Sequence, residues 1–246
     1  MLDFGLMWES VPALLGGLVV TVELVAASLL AGMALAIPLA LLRRARSPLL
    51  RIPAFCYITF FRGTPLLVQI FLIYYGLGQF EWIKATPLWL VLRDASSCAI
   101  LAFSLNTAAY TAEILRSAIE AVPRGEVEAA VALGMSRFLA FRLIQLPRAF
   151  RLALPAYGNE VILVIKSSSL ASTITLLDIT GTARTIVAQT FAPYEIFLVA
   201  GALYLVITFV VTQLIAAAER WLAPERRAAA ATRATPRPRP AAGRAA

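Results

Sequence analysis

Five apolar runs, at about 14–42, 53–78, 97–121, 152–176 and 194–218, are each long enough to cross a bilayer, which takes ~20 residues of helix. Inside lipid every backbone N–H and C=O must be satisfied within its own segment or by a close neighbour, so spans of this length are helices. Residue usage agrees: 60% of the chain is hydrophobic and 15% charged, against about 25% charged in a soluble domain. Pro38, Gly63, Pro65 and Pro155 fall in or beside the runs and are compatible with them, because neighbouring helices can satisfy the backbone groups they free. Pro193 suits the first turn of the last helix, where its missing N–H costs nothing. The expected class is an all-α integral membrane protein with five transmembrane helices.

Orientation follows from the basic residues, which gather on the cytoplasmic side of membrane proteins. With residues 1–13 outside, the inner side holds Arg43, Arg44, Arg46 and Arg51, then Arg116 through Arg151, then the C-terminal segment. Together these are 17 of the 22 basic residues. The outer side holds only Lys84, Arg93 and Arg184. The loop at 120–151 and the C-terminus are therefore expected in the cytoplasm, and the net charge of +8 needs no nucleic acid to explain it. The N-terminus opens with Asp3 and Glu9 and leads into a long apolar run, unlike a cleavable signal peptide. Residues 221–246 are rich in Ala, Arg and Pro without apolar periodicity, and read as a disordered basic cytoplasmic tail. Cys56 and Cys98 sit in or at the edge of apolar runs and read as small packing residues.

Charges inside spans cost about 2.5–3.5 kcal/mol each on the insertion scale, so they face protein or water. Arg62, Glu113, Glu160 and Lys166 are the candidates. Counted from the cytoplasmic ends of their spans, the first three lie at a common depth of roughly 12–14 Å, with Lys166 further out near the midplane. Two readings stand. The charges pair as structural glue, Arg62 with Glu113 or Glu160, or they line a site for a zwitterionic solute, with Arg62 meeting a carboxylate and an acid meeting an amine. Asn106, Gln69, Thr64, Asn159, Ser168 and Ser169 can supply neutral hydrogen bonds in such a site, although polar residues in spans also serve as helix–helix contacts. Glu23 in the first span is equally open to a pairing role.

The catalytic signatures are missing. There is no histidine, the commonest general base and metal ligand. No GxxxxGK[ST] loop for ATP occurs, and no HExxH, CxxC or GxSxG, so no metal or nucleophile–base set is expected. The chain reads as non-catalytic and free of cofactors.

The loop at 120–151 is too long and too ordered in pattern for a simple connector. Residues 126–133 are strong helix formers, Gly134 can stop that helix, and Ser136 can cap a second one from Arg137. Pro147 is expected to end or kink that second helix. Such a hairpin either projects as a docking element or lies on lipid headgroups.

The string Glu128-Ala129-Ala130, then Gly134, then Ile144, Leu146 and Pro147 resembles the EAA loop of type I ATP-binding-cassette (ABC) importer permeases at every fixed position. Phe61-Arg62-Gly63-Thr64-Pro65, Asn106 with Ala109-Tyr110, Ala112-Glu113-Ile114 with Arg116, 155–160 and 166–170 resemble the polar amino-acid branch, most like subunits for histidine, lysine, arginine, ornithine or opines. The resemblance covers 11–220 and implies a transmembrane domain over 14–220 with the type I permease fold, in a bacterial inner membrane. It implies two separate ATPase chains that bind the ATP and dock around Glu128 to Gly134. It also implies a second permease subunit, an extracytoplasmic solute-binding protein, and a polar amino-acid substrate held in part by Arg62 and Glu160. An ion-coupled secondary carrier or channel is the alternative, weakened by the lack of an inverted repeat.

Overall fold

The computed structural model describes residues 2–222; the expected tail at 221–246 lies outside them except for its first two residues. Among the described residues every regular element is helical. Helix α1 (Phe4–Arg43) begins ten residues before the expected first span, because Asp3 caps it by accepting from the Leu6 N–H at 3.0 Å. Helix α2 (Pro48–Gly63) stops at Thr64, and α3 (Leu66–Phe71) continues through a π turn, Leu72–Gly76, and a 3-10 turn, Leu77–Gln79. The expected single span at 53–78 is thus two helical pieces meeting at 105°. Pro65 causes the break: its ring drives Thr64 into an extended conformation, φ −115° and ψ 145°, and it has no N–H for the helix ladder.

Two short turns, Glu81–Lys84 and Trp89–Leu92, lead to α4 (Ala95–Glu120). Asp94 starts it by accepting from the Ser97 N–H at 2.8 Å and from the Ser97 hydroxyl at 2.9 Å. These bonds favour the charged carboxylate and hold Asp94 below its ordinary pKa. Next comes α5 (Arg124–Ala132), then a helical turn Arg137–Ala140 that runs through a π turn, Phe141–Gln145, into α6 (Leu146–Ser167). Pro147 does not end this second loop helix, which runs on through the π turn into α6. Pro147 follows the π turn in the first turn of α6, a position where a proline needs no N–H and where the wide turn leaves room for its ring. A 3-10 stretch, Ser168–Ile174, and a left-handed Thr175 then lead to α7 (Ile179–Thr190), followed by α8 (Pro193–Leu222). Three helices, α1, α4 and α8, are individually long and apolar enough to span, and the two bent pairs would raise the number to five.

The most extensive contact between helices is α1 against α4. It is built from small residues: Ser28, Gly32, Ala36 and Ala40 on α1, and Ser104, Thr107, Ala108 and Ala112 on α4, all buried. A β-carbon on Gly32 would stand 2.3 Å from the Thr107 methyl and 3.2 Å from the Ser104 carbonyl oxygen. Small residues let backbones approach where lipid removes the hydrophobic drive to associate. At the other end, buried Asp178 caps α7 through the Gly181 N–H at 2.9 Å and accepts from the Tyr204 hydroxyl of α8 at 3.1 Å. Thr21 of α1 accepts from the Ile179 N–H at 3.2 Å, so three helices are joined there. Replacing Gly32 with leucine should cost about 1–3 kcal/mol through overpacking and lower the melting temperature of the purified chain in detergent. Gly201→Leu, in open space, should leave that melt unchanged.

Candidate functional site

The break after α2 leaves backbone carbonyls without helical partners in a region where water is scarce, and polar side chains fill them. Gln69 of α3, 3% exposed, donates its amide to the Phe61 carbonyl at 2.9 Å, the Thr64 carbonyl at 3.1 Å and the Thr64 hydroxyl at 2.7 Å. Asn106 of α4 donates to the Gln69 side-chain oxygen at 2.9 Å and to the Phe61 carbonyl at 3.2 Å. Thr64, Gln69 and Asn106 therefore brace the bend before anything else binds there.

The bend opens into a cleft of about 450 Å³, whose polar walls include Arg62, Asn106, Tyr110, Glu160 and Ser167. The Arg62 guanidinium lies over the Tyr110 ring, 5.2 Å from its centre, within cation–π range. Glu160 of α6 is 6% exposed and accepts from the Thr107 hydroxyl at 2.9 Å. Among the described residues Arg62 makes no ion pair within 4 Å, with Glu160 or with Glu113. The pairing that would make these charges structural glue is absent, and opposite charges face one cavity.

Of the residues singled out from sequence, Arg62, Asn106 and Glu160 come together. Gln69 lies directly behind Asn106 with its hydrogen-bonding capacity committed to the bend. Glu113 is drawn aside by Arg116, whose Nε donates to it at 2.8 Å and whose other arm reaches Glu120. Glu113 lines a neighbouring groove of about 390 Å³ that shares Arg62, Gly63 and Tyr110 with the cleft. Asn159 is exposed, and Ser169 is turned back to donate to the Lys166 carbonyl at 2.9 Å; neither lines the cleft. The helical period explains this. Glu160, Leu163, Val164 and Ser167 share one face of α6, and Asn159 sits about 100° around from Glu160. Lys166 is also exposed and outside the cleft. Sequence reasoning gave no role to Thr107, which fixes Glu160, or to Tyr110 as the platform for Arg62. The only signal for Thr107 was its place beside Asn106, whereas Tyr110 stood in the Ala109-Tyr110 string of the resemblance without a role.

The loop at 120–151 folds as two helices around Gly134, whose φ of +89° is a left-handed value suited to glycine. Met135 N–H reaches the Ala130 carbonyl at 3.1 Å and Gly134 N–H the Val131 carbonyl at 3.0 Å, while the Ser136 hydroxyl accepts from the Leu139 N–H at 3.2 Å. The hairpin packs back on α4: Gln145 donates to the Ile119 carbonyl at 3.1 Å, and Arg148 lies 3.5 Å from Glu126. Ala130 is buried and Ile144 half-buried, whereas Glu128, Ala129, Gly134, Leu146 and Pro147 are exposed, beside Leu133 and Phe138 at 84% and 71% exposure. A platform with an exposed apolar face and mixed charge results, carrying exposed Glu128, Arg124, Arg137 and Arg142.

Membrane-length helices around a charged cleft, with a structured loop at one end, define a permease-type membrane subunit. The chain belongs to the family described as binding-protein-dependent transport system inner membrane component, which matches residues 28–224. The nopaline transport system permease of Agrobacterium fabrum is 51% identical over 92% of this chain and 95% of its own length. The histidine/lysine/arginine/ornithine transport system permease of Salmonella typhimurium is 44% identical over 84% and 88%. The crystal structure of an amino acid ABC transporter with histidines superposes with a TM-score of 0.81 at 34% identity, over 89% of this chain and 99% of that one. The fold is that of the type I ABC importer permeases, as the EAA-like loop implied.

Gln69→Leu should strand the Thr64 carbonyl, leave the Phe61 carbonyl to Asn106 alone and remove one acceptor from Asn106. Each buried orphan costs about 1–3 kcal/mol, so the chain's melting temperature in detergent should fall by several degrees, whereas Asn159→Leu should hold it within a degree or two.

Proposed function

We propose that this chain is the permease subunit of an ABC importer for basic amino acids or for their opine conjugates, such as nopaline, an arginine carrying a dicarboxypropyl group. The single observation that carries this reading is the Arg62 guanidinium and the Glu160 carboxylate facing one cleft without pairing to each other. A zwitterion completes both charges: its carboxylate meets Arg62, its α-amine meets Glu160, and Asn106 lies between them. Thr107 holds the Glu160 carboxylate in place and Tyr110 holds Arg62. The names of the relatives support a cationic side chain on the solute.

In this proposal residues 14–220 are the transmembrane domain, crossing a bacterial inner membrane five times with the N-terminus outside and the C-terminus in the cytoplasm. The α2–α3 and α6–α7 pairs each count as one bent crossing. A second permease subunit completes the pore, and an extracytoplasmic solute-binding protein delivers the solute. Two ATPase chains bind and hydrolyse the ATP and dock on the loop at Glu128, Ala129 and Gly134. Ala130, Ile144, Leu146 and Pro147 shape that platform. Closure of the ATPases exchanges inward-facing and outward-facing states, and their different affinity for the solute couples the two processes.

Reconstitution with the partner ATPases tests both halves. Glu128→Arg or Gly134→Arg should abolish solute-stimulated ATP hydrolysis while solute binding persists; retained stimulation would sink the docking role. Arg62→Ala should weaken uptake at least about tenfold, the loss of one charge-assisted contact, while basal ATP hydrolysis continues. Uptake driven by an ion gradient in liposomes lacking any ATPase would instead establish a secondary carrier.

A further inference from the structure

The groove beside the cleft carries charge that the proposed contacts leave unused. It lies between the last turn of α1, α2 and α4, and its walls include Arg43, Phe55, Arg62, Tyr110 and Glu113. The Arg43 guanidinium is 4.9 Å from the centre of the Phe55 ring. Its Nε is buried and makes no hydrogen bond, and among the described residues Arg43 has no ion-pair partner within 4 Å. One oxygen of Glu113 is held by Arg116, and the other is buried without a partner. Arg43 and Glu113 both line the groove, and each has a buried side-chain atom that no protein group completes.

Charge decides what the groove can hold. Arg116 is shared between Glu113 and Glu120, and against these two acids Arg43, Arg62 and Arg116 leave a net positive charge around the groove. Arg62, Gly63 and Tyr110 border both cavities, so the groove adjoins the cleft that holds Glu160. A solute seated between Arg62 and Glu160 that carries a further acidic arm could extend that arm past Tyr110 to Arg43. A plain basic amino acid has a single carboxylate, already spent on Arg62.

We infer that Arg43 and Arg62 form a second carboxylate station, so that this subunit prefers arginine conjugates bearing an additional carboxylate to free arginine. The inference rests on the proposed permease reading and selects among its substrates. Arg43 is the specificity residue, Arg62 serves both stations, and the stacked Phe55 keeps Arg43 turned into the groove.

The test uses the full chain in complex with its second permease subunit and its ATPase partners, in detergent and without the solute-binding protein, so that the membrane subunits alone discriminate. Calorimetric titration with nopaline and with L-arginine gives the two affinities. Wild type should bind nopaline more tightly than L-arginine. Arg43→Gln should weaken nopaline binding about tenfold and change L-arginine binding less than about twofold, and Arg43→Lys should recover most of the nopaline affinity. The L-arginine arm reports whether each variant is folded, and Phe55→Leu, which keeps both arginines, should weaken nopaline binding by a smaller factor. Equal losses for both solutes, no loss for either, or a wild type that binds nopaline no better than L-arginine would overturn the inference while leaving the permease reading intact. A wild type that binds neither solute would overturn both.

Discussion

The close crossing of α1 and α4 is the contact on which the rest of the molecule depends. Lipid is as apolar as a leucine side chain, so helices in a bilayer associate through fit and polar bonds rather than through escape from water. Gly32 supplies the fit, with Ser28, Ala36 and Ala40 extending it along α1. One residue converts that contact into chemistry. The Thr107 methyl lies against Gly32 while its hydroxyl donates to Glu160. The spacing of α1 and α4 therefore sets where the buried carboxylate points, and neighbouring Asn106 and Tyr110 take their places on the same stretch of α4.

The second determinant is the bend at Gly63-Thr64-Pro65. A straight span would have satisfied its own backbone and turned Arg62 wherever the helical period sent it. Breaking the span exposes carbonyls that recruit Gln69 and Asn106, and those amides make the surroundings of Arg62 polar. Irregular backbone at membrane depth is tolerated only where protein or a cavity covers it, and here it has both.

Much of this could be read from the residues. The apolar runs and the spacing from Glu128 to Pro147 placed the helices, the loop and its glycine. Counting turns set Arg62 and Glu160 at one level, and both line the cleft. The rest depended on direction, which a span length does not encode. Polarity made Asn159 and Ser169 candidates for the site, but the angle around α6 turns Asn159 outward and the 3-10 stretch turns Ser169 back onto Lys166. Arg62, free to pair with either acid on sequence grounds, was kept apart from Glu113 by a local competitor, Arg116, three residues along the same helix. Pro65 and Pro147 look alike in sequence and behave oppositely. One follows a residue forced into extended backbone, and the other enters after a π turn with space for its ring.

The helical backbone from Arg137 through the π turn to Ser167 is continuous, which makes it a lever. Arg137 belongs to the exposed platform and Glu160 to the cleft, and at 1.5 Å per residue they lie ~35 Å apart along one rod. A tilt of roughly 5° about the loop end would carry the carboxylate about 3 Å, as far as its hydrogen bond to Thr107 is long. Mechanical work done at the loop would arrive at the binding charge as a displacement of about one bond length, less the bending taken up at the π turn and at Pro155 between them.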